Sequence, residues 1–168
     1  MTHEAGPLGP ARLWRELTLD ERMALAAALW NDEESAPQQA EAVQLIARQM
    51  KFRPQSVLAL APEKLVRYLA GLHQVSESIA NRALVVYHLG EQRPMLEAFL
   101  TRLGIPHEKG MIEGTLAAPD PAALREAAAA LAVEFPPAAV RLYLRTLAAQ
   151  DPETWGALAE ITSGIGSS

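Results

Sequence analysis

The chain has 168 residues and no cysteine, which excludes disulfides, a thiolate zinc site and a cysteine nucleophile. Aromatic side chains are scarce too, at 5% of the sequence. Sheets favour β-branched and aromatic residues, so this scarcity beside an abundance of Ala and Leu points to close-packed helices. No apolar run approaches the roughly 20 residues that span a bilayer. The start, Met1 to Pro7, has neither the basic stretch nor the apolar core of a signal peptide. A cytoplasmic protein is the simplest expectation. Positive charge is not in excess either: a net charge of −5 argues against a general nucleic-acid binder.

Catalytic motifs are missing as well. The sequence holds no Gly-rich phosphate loop, no Gly-x-Ser-x-Gly elbow and no paired-carboxylate motif. Its four His (3, 73, 88 and 107) never pair at i+3 or i+4, the spacing that puts two ligands on one helix face. No metal or cofactor is expected.

What is present is a pattern that recurs three times: an apolar residue, two others, an aromatic followed by Leu, two others, Leu. It runs Leu65, Tyr68, Leu69, Leu72; then Leu96, Phe99, Leu100, Leu103; then Val140, Tyr143, Leu144, Leu147. These spacings place four side chains on one stripe of a 3.6-residue helix, and the stripe is expected to be core. Pro62, Pro94 and Pro137 lie just upstream of the copies, where a helix start tolerates a missing N–H. The intervals between the aromatic residues are unequal, so no regular solenoid is implied.

Start and stop signals divide the rest. Thr18 and Glu21 fit a capping box, Ser76 caps the helix after the first copy, and Gly90 is its expected stop. Gly104-Ile105-Pro106 ends the second copy, while Asp120-Pro121 and Asp151-Pro152 open later helices. The predicted fold is all-α, with about nine short amphipathic helices in successive antiparallel hairpins, either a compact bundle or an irregular repeat-like array. Residues 1–9 are expected to be loose and 162–168 a disordered tail. Residues 10–161 are read as one domain, with possible sub-units 10–104 and 120–161 joined by the loop 105–119. The three Trp are expected to anchor terminal helices.

Charge is unevenly spread. Residues 1–42 carry a net −5, whereas residues 43–75 hold Arg48, Lys51, Arg53, Lys64 and Arg67 against Glu63 alone. Such a strip is either solvated or docks a partner. The loop triplet His107, Glu108 and Lys109, with Glu113 nearby, is a second candidate: His beside Glu can move a proton and Lys can hold an anion.

A third candidate is Arg82-Ala-Leu-Val-Val-Tyr-His88. Its Arg–His spacing resembles that of HEPN-type ribonucleases, which are also all-α. The resemblance covers seven residues, and Ala83 replaces the polar residue often found after the Arg. It implies metal-independent RNA cleavage by Arg82 and His88, usually across a dimer interface.

The expectation is a non-catalytic helical module that binds another protein or peptide, through the basic strip or the 105–119 loop, without membrane or general nucleic-acid binding. The sequence leaves its oligomeric state open. Two alternatives stand beside it: the ribonuclease, and a bundle that holds a small apolar ligand between its helices.

Overall fold

Thr18 and Glu21 form the expected reciprocal cap. The Thr18 hydroxyl accepts from the Glu21 N–H at 3.1 Å, and the Glu21 carboxylate accepts from the Thr18 N–H at 2.9 Å. With both orphan donors satisfied, a helix starts at Leu19. Similar signals punctuate the whole chain. The computed structural model describes residues 9–114 and 116–165, and these are all-α apart from one two-stranded hairpin. The loose start expected over residues 1–9 lies, except for Gly9, outside the described residues.

Eleven α-helices occur among the described residues, against about nine expected. They are α1 (Pro10–Glu16), α2 (Leu19–Asn31), α3 (Ala36–Met50), α4 (Pro54–Leu58), α5 (Pro62–Gly71) and α6 (Glu77–Glu91), then α7 (Arg93–Arg102), α8 (Pro121–Glu134), α9 (Pro137–Gln150), α10 (Pro152–Trp155) and α11 (Leu158–Ser163). The excess has two sources: the possible extra turn near Ser56–Leu60 is a helix, α4, and the single final helix expected to hold Trp155 and Leu158 is divided into α10 and α11. Thr162 and Ser163 belong to α11, and Thr162 is buried. Residues 162–165 of the expected tail therefore belong to the described structure, and 166–168 lie outside the described residues.

Two expected signals act differently. Helix α6 continues through Gly90 to Glu91, because Gly90 does not take the left-handed conformation that stops a helix. The Asp120 side chain makes no capping bond, whereas Asp151 accepts from the Thr154 N–H at 3.3 Å. Gly104 stops α7 as expected, with φ +69°. Its N–H donates to Thr101 O, and the Ile105 N–H reaches Leu100 O at 2.9 Å. This is a Schellman closure, completed by the burial of Ile105.

The chain divides into two compact units, residues 10–87 and residues 88–165 together with Gly9. In the first, α2 packs on α5 and on α3, and α3 packs on α4 and α5. Small, fully buried residues on α2 (Ala26) and α5 (Ala70) let those two helices approach closely. Leu13, Leu25, Leu29, Ile46, Leu69 and Ile79 form its core. Trp14 anchors α1 as expected: it is fully buried and its indole N–H donates to Leu72 O at 2.8 Å.

In the second unit, α7, α8 and α9 pack in sequence, with α10 and α11 against α9. The second and third copies of the repeat meet here. Phe99 stands edge-on to Tyr143 with ring centroids 5.6 Å apart, and Trp155 lies 6.1 Å from Phe99. Both stripes are core as expected, and burial pushes the Tyr143 hydroxyl well above its ordinary pKa. No helix among the described residues is long and apolar enough to cross a membrane.

Candidate functional site

The first copy of the repeat departs from the other two. Leu69 and Leu72 are buried, but Leu65 and Tyr68 are only half-buried. Tyr68 instead meets Phe52 in a T-shaped contact, with centroids 6.4 Å apart and planes at 81°. Phe52 is 42% exposed, and Met50 and Leu58, close to it in the chain, are 38% and 66% exposed. Three of the six large apolar side chains exposed among the described residues therefore lie within nine positions of the chain.

The end of α3 creates this display. Lys51 takes the left-handed conformation with φ +58°, and the Phe52 N–H closes onto Ala47 O at 2.9 Å. That closure throws Phe52 outward and turns the chain into Arg53-Pro54, the start of α4. Helix α5 brings Lys64 and Arg67 on the turn that carries Tyr68. All five bases of the strip are exposed, and none forms an ion pair among the described residues.

Two concavities adjoin along this face and share Leu45 and Gln74. One, of about 330 Å³, is lined by Glu41, Gln44 and Arg48. The other, of about 460 Å³, is lined by Gln49, Met50, Arg67, Tyr68 and His73. Behind His73 sits a group that composition does not reveal. Arg22 is only 6% exposed and forms no ion pair among the described residues. Its Nη1 donates to His73 Nδ1 at 3.2 Å, and its buried Nε has no hydrogen-bond partner. A guanidinium can only donate, so Nδ1 accepts and the His73 ring proton sits on Nε2. The signal for Arg22 was in the sequence, because it shares a helical stripe with Leu25 and Leu29 of α2.

The Arg82 and His88 pair is placed otherwise than the ribonuclease resemblance requires. Six residues apart on α6, they point about 120° apart around the helix axis. The Arg82 Nε donates to Ser35 Oγ at 2.8 Å and its Nη2 to Asp32 Oδ2 at 3.1 Å. The Ser35 hydroxyl also donates to Asp32. The Ser35 bond first, then Arg82, hold the Asp32 carboxyl below its ordinary range against the upward push of partial burial. Arg82 thus ties α6 to the turn between α2 and α3. His88 is 3% exposed, with its ring 5.5 Å from that of Tyr143. His88 is thus buried, while Arg82 keeps about 32% of its side chain exposed but is engaged by Ser35 and Asp32.

Residues 107–112, expected as irregular loop, form a hairpin of β1 (His107–Glu108) and β2 (Met111–Ile112). Its two-residue turn is Lys109-Gly110, both with positive φ, as a type I′ turn requires. A two-residue strand gives too little alternation to be seen in sequence. Successive strand residues face opposite sides, so His107 and Glu108 do not converge. His107 Nε2 instead lies 3.1 Å from the Thr101 hydroxyl. Among the described residues, no three His, Asp or Glu gather as metal ligands.

A third concavity, of about 320 Å³, is lined largely by apolar groups, including Trp30, Val43, Leu58 and Leu65. No family model, curated protein or solved structure matches this chain.

Proposed function

We propose that the protein is a non-catalytic helical interaction module whose working surface is the basic face of α3, α4 and α5, and that its partner is another protein or a peptide. One observation carries the reading. In a chain of net charge −5, five exposed bases without ion pairs among the described residues lie on the same short stretch, residues 48–67, as exposed Met50, Phe52 and Leu58. Solvated charge alone would not bring exposed aromatic and aliphatic side chains with it. Binding surfaces combine the two, because apolar anchors supply affinity while charges steer encounter and select the partner.

The ribonuclease reading asks His88 and Arg82 to leave the positions described above, so the geometry favours binding over catalysis. A photo-crosslinking residue placed at Phe52 tests the surface directly in the protein's own host. The 87%-exposed Val133 of α8 serves as control. A discrete adduct to one protein from position 52, and none from 133, is expected. The same adducts from both positions, or none from 52, would refute the assignment.

A further inference from the structure

We infer that the groove lined by Arg67, Tyr68, His73 and Met50, with its neighbour at Arg48, receives an acidic peptide segment that seats an apolar side chain against Tyr68 and Phe52. This deepens the proposed interaction reading and rests on it.

The sign of the partner follows from charge. Arg48 and Arg67 line the two adjoining concavities without ion pairs among the described residues. The third charge, Arg22, is nearly fully buried and meets only the neutral face of His73. A buried guanidinium without a counter-charge is costly. A carboxylate entering the groove brings the counter-charge closer, and the His73 Nε2–H and Arg67 are donors at its edge.

Peptide rather than polyphosphate follows from the other lining groups. Gln44, Gln49 and Gln74 carry amides that both donate and accept. They match backbone N–H and C=O groups, whereas phosphate can only accept. Glu41 lies in the Arg48 concavity and Glu63 in the first turn of α5. These acids would repel a backbone charged at every unit but spare a peptide with spaced carboxylates. Met50 and Tyr68 line the groove and Phe52 contacts Tyr68, so an apolar side chain of the peptide meets apolar groups there.

Fluorescence anisotropy with the full chain tests this, using four labelled probes of about 15 units. They are an amphipathic peptide of Glu with Leu and Phe at helical spacing, the same peptide with its apolar residues replaced by Ser, the same with Lys for Glu, and oligouridylate. The amphipathic acidic peptide is expected to bind with a Kd on the order of 10 μM, and each other probe at least tenfold more weakly. Arg67→Glu and Phe52→Ser should each weaken it about tenfold, with unchanged helical circular dichroism. Glu63→Lys should tighten it severalfold, a gain that misfolding cannot mimic.

Oligouridylate binding as tight as the peptide would reassign the face to nucleic acid. Self-association abolished by Arg67→Glu, read by sedimentation, would reassign it to a second copy. Binding by no probe would overturn the acidic-peptide chemistry, and the Phe52 cross-link would still report separately on the interaction reading.

Discussion

Lys51 holds a backbone conformation that its own side chain disfavours, and replacing it with Gly should separate stability from binding. At φ +58° a non-glycine residue pays roughly 1–2 kcal/mol for the crowding of Cβ against its carbonyl. Glycine removes that cost but loses about 0.5–1 kcal/mol through the greater freedom of the unfolded chain. Lys51 is exposed and makes no ion pair among the described residues, so little else is lost. Lys51→Gly should therefore stabilise the protein by about 0.5–1 kcal/mol, or a few degrees in Tm for a chain of this size. Urea titration read by circular dichroism measures it as a higher midpoint at unchanged slope. The same variant deletes one of five bases on the proposed docking face and should weaken an acidic partner two- to fivefold. A variant that is less stable would show that the helix end does not carry the strain described. One that is more stable but binds equally well would show that Lys51 takes no part in docking.

Gly110→Ala should cost about 2–4 kcal/mol, because a Cβ there meets the Leu96 Cβ at 3.0 Å and sits at φ +88°; a shift of the urea midpoint measures it. Phe99→Ala, in the buried second copy of the repeat, should cost about 3–5 kcal/mol, against under about 1.5 kcal/mol for Tyr68→Ala in the half-exposed first copy. Equal losses would place Tyr68 in the core. The Asp32 carboxyl lies below its ordinary value of 3.8 in the folded protein, so its contribution is fully present above that value and disappears as pH falls through the lowered one. The stability advantage of wild type over Asp32→Asn should hold at about pH 6 and close by about pH 2; an advantage that persists in acid would show that the Ser35 and Arg82 bonds do not depend on the charge.

Much of the fold was legible because it is written in short-range signals. The Thr18–Glu21 box, the Gly104-Ile105 stop and the Asp151-Pro152 start each act through residues within one turn. The repeat marked its core correctly where two copies face each other, at Phe99 and Tyr143. It misled at Tyr68, because periodicity shows which face of a helix is apolar and not what covers it. Gly90 misled for a related reason: glycine permits a left-handed stop without requiring one. The basic strip was visible as composition. Its company was not, since Phe52 and Tyr68 meet only through the closure at Lys51 and the packing of α3 on α5. Arg22 was hidden by its type, because a charged residue on a helix is ordinarily taken for a solvated one.

Docking of a protein or peptide on the basic, aromatic face of residues 10–87 is open to a direct test. Native mass spectrometry of the tagged chain drawn gently from its host's lysate tests it most directly, beside the variant with Arg48, Arg53 and Arg67 all changed to Glu. One stoichiometric partner is expected on the wild-type chain and none on the variant, although the variant keeps its helical circular dichroism. A partner retained by the folded variant, or a wild-type chain that carries none, would contradict it.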